Sequence, residues 1–383
     1  MAKPTIRFRG FDDEWEQRKL DDVVEFLDTM RKPLEGAKRI SGPYPYYGAS
    51  GIVDYVDGYL FDEELILLSE DGANIIDRNY PVCFLASGKY WVNNHAHVLR
   101  TKQGNENNFI CNSLERKDYT QYNTGMAMPK LNKETCKKIP ILCPGFEEQK
   151  KIGDYFRSLD NLITLHQRKC DETKKLKKYM LQKMFPQNGS KVPEIRFKGF
   201  TDEWEQRKLG EVLKERSERA NGSEELLSVT IGNGVIKQAD SDKRNTASDD
   251  KSNYKIVRKG DLPYNSMRMW QGAVGNSEYD GIVSPAYTVL VPTEEANSKF
   301  FMELFKKEST LQIFQRWSQG LTSDTWNLKY PALSTIQFYI PSVFEQTKIA
   351  DYFIQLDHLI TLHQHKCEEI KKLKKFMLQN MFI

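Results

Sequence analysis

The sequence is short of the residues and patterns that most chemistry requires. Its six cysteines, Cys83, Cys111, Cys136, Cys143, Cys170 and Cys367, include no Cys-x-x-Cys pair. Scattered in this way they make no disulfide framework, and a reduced, cytoplasmic setting is expected. No run approaches the ~20 apolar residues of a membrane span, and residues 1–5 carry no apolar signal region. Neither sign of charge dominates: 56 Lys+Arg against 53 Asp+Glu leave +3, which excludes a histone-like polycation but not a nucleic-acid reader with clustered basic residues. The phosphate-cradling G-x-x-x-x-G-K-[ST] loop, the H-E-x-x-H zinc helix and the G-x-S-x-G nucleophile elbow are all missing. What is present is a 39% share of hydrophobic residues in 383, enough for packed cores in two or three domains.

The dominant positive feature is duplication. Residues 6–20 and 195–209 are identical at 13 of 15 positions, and residues 148–185 and 345–382 at 28 of 38. The stretches between, 21–143 and 210–340, do not match. Each half therefore has a fixed opening, a divergent body and a fixed ending, which suggests one task performed twice on different targets. Pro186 and Pro193 bracket a glycine-containing segment without apolar periodicity, read as a linker over 186–194.

Both fixed endings read as amphipathic helices. Apolar residues recur at threes and fours: Ile152, Tyr155, Leu159 and Leu162, then Leu176 and Met180, in the first; Ile349, Tyr352, Leu356 and Leu359, then Leu373 and Met377, in the second. A helix of 38 residues is about 57 Å long and cannot bury its stripe alone. The partner expected is its own copy, running antiparallel, with a body at each end. His166, Cys170, His363 and Cys367 could meet as a zinc site, but a register-fixing polar layer is the reading adopted, with no metal. The lysine runs at 174–178 and 371–375 suit either phosphates or solvent.

The bodies read as mixed α/β, with strands at 65–68, 289–291 and 336–340, turns at 44–51 and 232–234, and a helix over 300–314. In the first, Asn93, Asn94, His95, His97 and Arg100 offer hydrogen-bonding side chains of the kind that reach base edges. In the second, Tyr264, Asn265, Arg268, Trp270 and Gln271 do the same. Asp261-Leu262-Pro263-Tyr264 is similar to the Asp-Pro-Pro-Tyr motif of adenine methyltransferases, but has Leu for Pro and no cofactor loop accompanies it.

The whole chain resembles the specificity (S) subunits of type I restriction–modification systems. The likeness rests on the order body, helix, body, helix, and on local wording: YWVNNHAHVL at 90–99, GDLPYNSMRMWQGAVG at 260–275, GIVSPAYTVL at 281–290 and P-x-x-x-E-Q-x-K-I before each long helix. The resemblance implies an α+β architecture with a pseudo-twofold repeat: target recognition domains at 1–145 and 195–341 joined by long antiparallel helices at 146–185 and 342–383. It implies that each domain reads one part of a bipartite site in double-stranded DNA. The helices would space the domains and dock two modification subunits, with restriction subunits added. S-adenosylmethionine, ATP and Mg would sit on those partners and no cofactor on this chain, which would be non-catalytic. Two rivals remain at this point: a self-contained adenine methyltransferase using 261–264, and a coiled-coil protein-interaction scaffold.

Overall fold

The computed structural model describes residues 3–187, 189–220, 224–241 and 250–383; Asn188 of the expected linker lies outside the described residues. The chain divides into two compact units, Met1–Arg168 with Gln364–Ile383, and Lys169–His363. Among the described residues no helix is long and apolar enough to cross a membrane.

In the first unit one antiparallel sheet runs in the order Val24–Phe26, Ala96–Thr101, Leu65–Ser69, Cys83–Ala86. A second runs Gly51–Val56, Ser41–Gly48, Lys89–Val92, Phe61–Asp62. The unbroken apolar run 65–68 has a simple cause: successive strand side chains point to opposite faces, and both faces are covered. Ile66 and Leu68 join a core with Val24, Leu99 and Phe109, while Leu65 and Leu67 join another with Phe61, Tyr90 and Val92. The segment 44–51, expected as a turn, is mostly strand. Tyr46 is buried and Tyr47 packs 5.6 Å from Tyr90, so side-chain burial overrides the proline and glycine signals. The strand's prolines are tolerated beside register shifts in its pairing with Gly51–Val56.

In the second unit Leu213–Glu215, Tyr287–Pro292 and Leu262–Asn265 form a three-stranded sheet, flanked by the ribbons Leu227–Thr230/Gly234–Lys237 and Lys255–Val257/Gly281–Val283. The helix expected over 300–314 is two helices, Ser298–Lys306 and Glu308–Trp317, because Lys307 takes an extended conformation at φ −66°, ψ 133°. The break turns Lys307 inward, where its ammonium donates to the Pro186 carbonyl at 3.2 Å and sits over the Phe185 ring.

The duplicated segments build the same contacts in both units. Glu16–Lys19 pairs with Pro140–Cys143, and Glu205–Lys208 with Gln337–Ile340, so each body is closed by a ribbon of its own two ends. Arg7 forks onto buried Glu148 at 2.7 and 2.8 Å, and Arg196 onto buried Glu345 at the same distances. The Gln149 side chain accepts from the Glu106 amide at 3.1 Å, and that of Gln346 from the Asn297 amide at 2.9 Å. Each tethers the cap of a body helix to a long helix.

The long helices, Phe146–Lys183 and Val343–Asn380, each hold 38 residues. Within each unit the start of one lies antiparallel to the end of the other: Asp160 pairs with Lys374 at 2.6 Å, and Asp357 with Lys177 at 2.7 Å. The amide of Ile6 donates to the Asn380 carbonyl, and that of Ile195 to the Lys183 carbonyl, both at 2.9 Å. Each fixed opening is therefore fastened to the end of a long helix. The expected apolar stripe splits. Ile152, Leu159, Ile349 and Leu356 are buried, and Met180 and Met377 pack partly buried on the cores. Leu162, Leu176, Leu359 and Leu373 stay 42–44% exposed. At 3.6 residues per turn Leu162 is about 80° around the helix from Ile152, too far to share its buried line.

Candidate nucleic-acid interface

In the first unit the strands Lys89–Val92 and Ala96–Thr101 are joined by a short polar turn. The Asn93 amide donates to the Tyr47 carbonyl at 3.0 Å, and its side-chain oxygen accepts from the His95 amide at 2.8 Å. This side-chain turn buries Asn93 and presents Asn94 and His95 to solvent. The His95 ring stands 2.9 Å from the Asp71 carboxylate with half its side chain exposed. Arg100 points out between Glu63 and Glu25.

His97 does not join them. It is 1% exposed, with Nδ1 2.8 Å from Asp28 and Nε2 2.7 Å from the Leu131 carbonyl. Both nitrogens face oxygens that can only accept, so the ring is held as imidazolium. Burial alone would lower its pKa, but the hydrogen bond to Asp28, the Asp28 charge and the neighbouring Cys136 sulfur outweigh that and raise it to about 10. A pKa raised on folding adds stability that is complete below the unfolded value and disappears as pH climbs through the folded one. His97→Gln is thus expected to be less stable than the parent by roughly a few kcal/mol at low pH. Denaturant unfolding should show that gap closing between pH 6.5 and about 10. A constant gap would mean that His97 is neutral in the fold.

In the second unit Leu262–Asn265 leads into a tight turn. Its geometry follows from the Arg268 amide donating to the Asn265 carbonyl, the Gln271 amide to that of Arg268, and Gly272 at φ +84°, which only glycine adopts readily. Asn265, Arg268 and Gln271 come together in the lining of a cavity of about 760 Å³, faced by the ribbon Leu227–Thr230/Gly234–Lys237. Among the described residues Arg268 makes no ion pair, and its fork is free for an outside acceptor. Trp270 lies at the edge, its indole donating to the Met267 carbonyl and its ring 5.2 Å from Trp326. Tyr264 is buried, its hydroxyl donating to the Leu328 carbonyl at 3.0 Å; burial pushes its pKa up. Asp261 is clasped by Arg216 through two contacts of 2.8 Å and accepts from the Arg258 amide. An acid and a tyrosine so engaged do not fit the substrate-gripping role of the motif they resemble.

Among the described residues no group of three or more His, Cys, Asp or Glu is placed to hold a metal ion. Cys367 is buried, its sulfur 3.8 Å from the Gln167 side chain. Of the lysine runs, Lys177 and Lys374 turn to Asp357 and Asp160, while Lys174, Lys175, Lys178, Lys372 and Lys375 are exposed. Sequence reasoning missed that His97 and Tyr264 do one job. Each holds the carbonyl of a leucine, Leu131 or Leu328, at matching positions before the closing ribbon strand.

Two dissimilar bodies, each built on the same duplicated frame and each with a polar turn toward solvent, define a recognition scaffold. Residues 12–175 and 201–372 both match the type I restriction modification DNA specificity domain, and the chain belongs to that family. It is 36% identical over 156 residues to a putative type I restriction enzyme specificity subunit of Haemophilus influenzae, a match spanning 41% of this chain and 39% of that relative. It is 22% identical over 402 residues to the type I restriction enzyme MjaVIII specificity subunit of Methanocaldococcus jannaschii, spanning 95% and 91%. The crystal structure of a type I restriction–modification S subunit from M. genitalium covers 100% of this chain and 99% of its own, with a TM-score of 0.69 at 14% identity. The two share a fold.

Proposed function

We propose that this chain is the sequence-reading subunit of a type I restriction–modification complex and that each body reads one part of a bipartite DNA site. The observation that carries this reading is a frame repeated contact for contact around two unlike polar surfaces: Asn94, His95 and Arg100 in one, Asn265, Arg268, Trp270 and Gln271 in the other. Asn93, His97 and Tyr264 hold those surfaces from beneath. The chain supplies no catalysis; S-adenosylmethionine, ATP and Mg belong to its partners, and the complex works in the cytoplasm. Two modification subunits dock on the long helices, and restriction subunits add to that assembly. In support, each unit exposes an equivalent apolar set: Leu162, Leu373 and Phe376 in one, Leu359, Leu176 and Tyr179 in the other.

The test is single-molecule mapping of N6-methyladenine in cells holding the modification subunit, with and without this chain. One asymmetric, interrupted motif is expected only when the chain is present. Methylation that ignores the chain would overturn the proposal. DNA binding that is indifferent to sequence and salt would favour a protein-interaction scaffold instead.

A further inference from the structure

Outside the duplicated blocks the bodies share almost no sequence, yet each carries a short hydrogen-bonded loop ahead of its closing strand. In the first unit it is closed by the Thr124 amide donating to the Lys130 carbonyl at 2.8 Å; in the second, the Gln319 amide donates to the Asn327 carbonyl at 3.0 Å. Each loop lifts an apolar side chain wholly into solvent, Met126 at 104% relative exposure and Leu321 at 101%, with Met128 also exposed at 60% in the first. Each tip follows a glycine that the loop's shape demands. A Cβ on Gly125 would lie 1.8 Å from the Met128 carbonyl oxygen; one on Gly320, at φ +147°, would lie 2.6 Å from that of Thr325. The loops are matched in position, since both run into equivalent helical turns, Lys133–Cys136 and Tyr330–Leu333.

Both loops are bolted to the polar turns described above. The Leu131 carbonyl takes the His97 ring and the Leu328 carbonyl the Tyr264 hydroxyl. The Leu131 amide donates to Glu70, whose own amide donates to the His95 carbonyl; the Leu328 amide donates to Ser266, next to Asn265. Scattered exposed apolar residues are ordinary. A fully bared Met and Leu at matching places in two dissimilar bodies, each tethered to a hydrogen-bonding turn, are not explained by chance exposure. The turns to which these loops are tied carry His95 and Arg268, side chains that suit nucleic acid rather than the apolar centre of a protein interface. Leu and Met are among the side chains that proteins drive between base steps, unstacking them and kinking the duplex.

We propose that Met126 and Leu321 are wedges, each entering the DNA duplex at a base step beside the bases read by its neighbouring polar turn. The inference rests on the DNA-reading function proposed above. A wedge would let each body sense how easily a step opens, adding sequence preference at positions it never contacts by hydrogen bond.

The experiment uses the full chain with its modification subunits and a duplex selected from a random-sequence pool by the parent complex. Met126→Ala and Leu321→Ala are compared with Met126→Leu and Leu321→Met, and all should unfold like the parent because both side chains are fully exposed. Each alanine variant is expected to bind the selected duplex roughly ten- to hundredfold more weakly, the equivalent of leaving one such side chain in water. The conservative variants should bind nearly as the parent does. With 2-aminopurine placed in turn at every position except the methylated adenine, the parent should brighten one step near each half-site. Leu321→Ala should abolish only the second of these signals and Met126→Ala only the first. If the parent selects no sequence, DNA reading itself is overturned and the wedges with it. If it selects a sequence that both alanine variants bind within twofold, with unchanged fluorescence, DNA reading stands and the wedges are wrong.

Discussion

Arg268→Ala is expected to weaken recognition of the second half-site by about one to two orders of magnitude and to leave the first half-site unchanged. Arg268 is without an ion pair among the described residues, and its backbone is pinned by the turn between Asn265 and Gly272. It shares one cavity wall with Asn265 and Gln271. A guanidinium fork without an ion-pair partner among the described residues is suited to guanine, and losing one bidentate pair costs about 1–3 kcal/mol, roughly ten- to hundredfold. Arg268→Lys should restore the salt dependence of binding but not the base preference, because an ammonium lacks the planar fork. Arg100→Ala should do less, since Arg100 already answers Glu63 and Glu25. Competition binding at fixed salt, base by base, measures all three. Equal losses at both half-sites for Arg268→Ala would contradict the assignment of one reader per half-site.

A chain cut after Gln187 is expected to form a homodimer and to direct methylation to an interrupted palindrome. In the first unit the end of the second long helix completes the core: Phe382 lies 5.2 Å from Phe109 and 5.6 Å from Phe156, with Met381 buried and Ile370, Met377 and Leu378 packed alongside. Removing it would bare Trp15, Phe109 and Phe156 to water, which cannot persist in a soluble fold. A second copy carries the replacements at equivalent positions: Met180, Leu181, Met184 and Phe185, with Lys177 in place of Lys374 for Asp160. Two identical copies then meet across a true twofold axis. The weak point is Thr173, which stands where Ile370 packs and removes apolar volume at a cost on the order of 1 kcal/mol. Sedimentation of residues 1–187 at micromolar concentration, followed by a methylation map, gives the answer; a monomer, or a site that stays asymmetric, would refute it.

The arrangement of body, helix, body, helix was readable in the sequence, because duplication is a property of the string. The pairings between Arg7 and Glu148 and between Arg196 and Glu345 were not. Their members sit in separate repeat blocks with different offsets, and nothing local links them. His97 illustrates a second limit. Asn93, His95 and His97 alternate as if on one strand face, but the side-chain turn at Asn93 ends one strand and starts another, so His95 leaves and His97 enters the core. Tyr264 fails as a surface residue for a related reason, since a phenol that grips a buried carbonyl has the same letter as one that stacks on a base. Met126 and Leu321 were invisible because an apolar letter reads as core unless a loop lifts it out.

The sequence by itself determined how many bodies there are, that their frames match and their interiors differ, and where the long helices run, because identity and periodicity need no coordinates. Only the tertiary structure decided which polar residues face solvent and which are spent on holding carbonyls such as those of Leu131 and Leu328. It also showed that each fixed opening closes on the end of a long helix. Both depend on which groups come within about 3 Å of one another, and hydrogen bonds act only at that range.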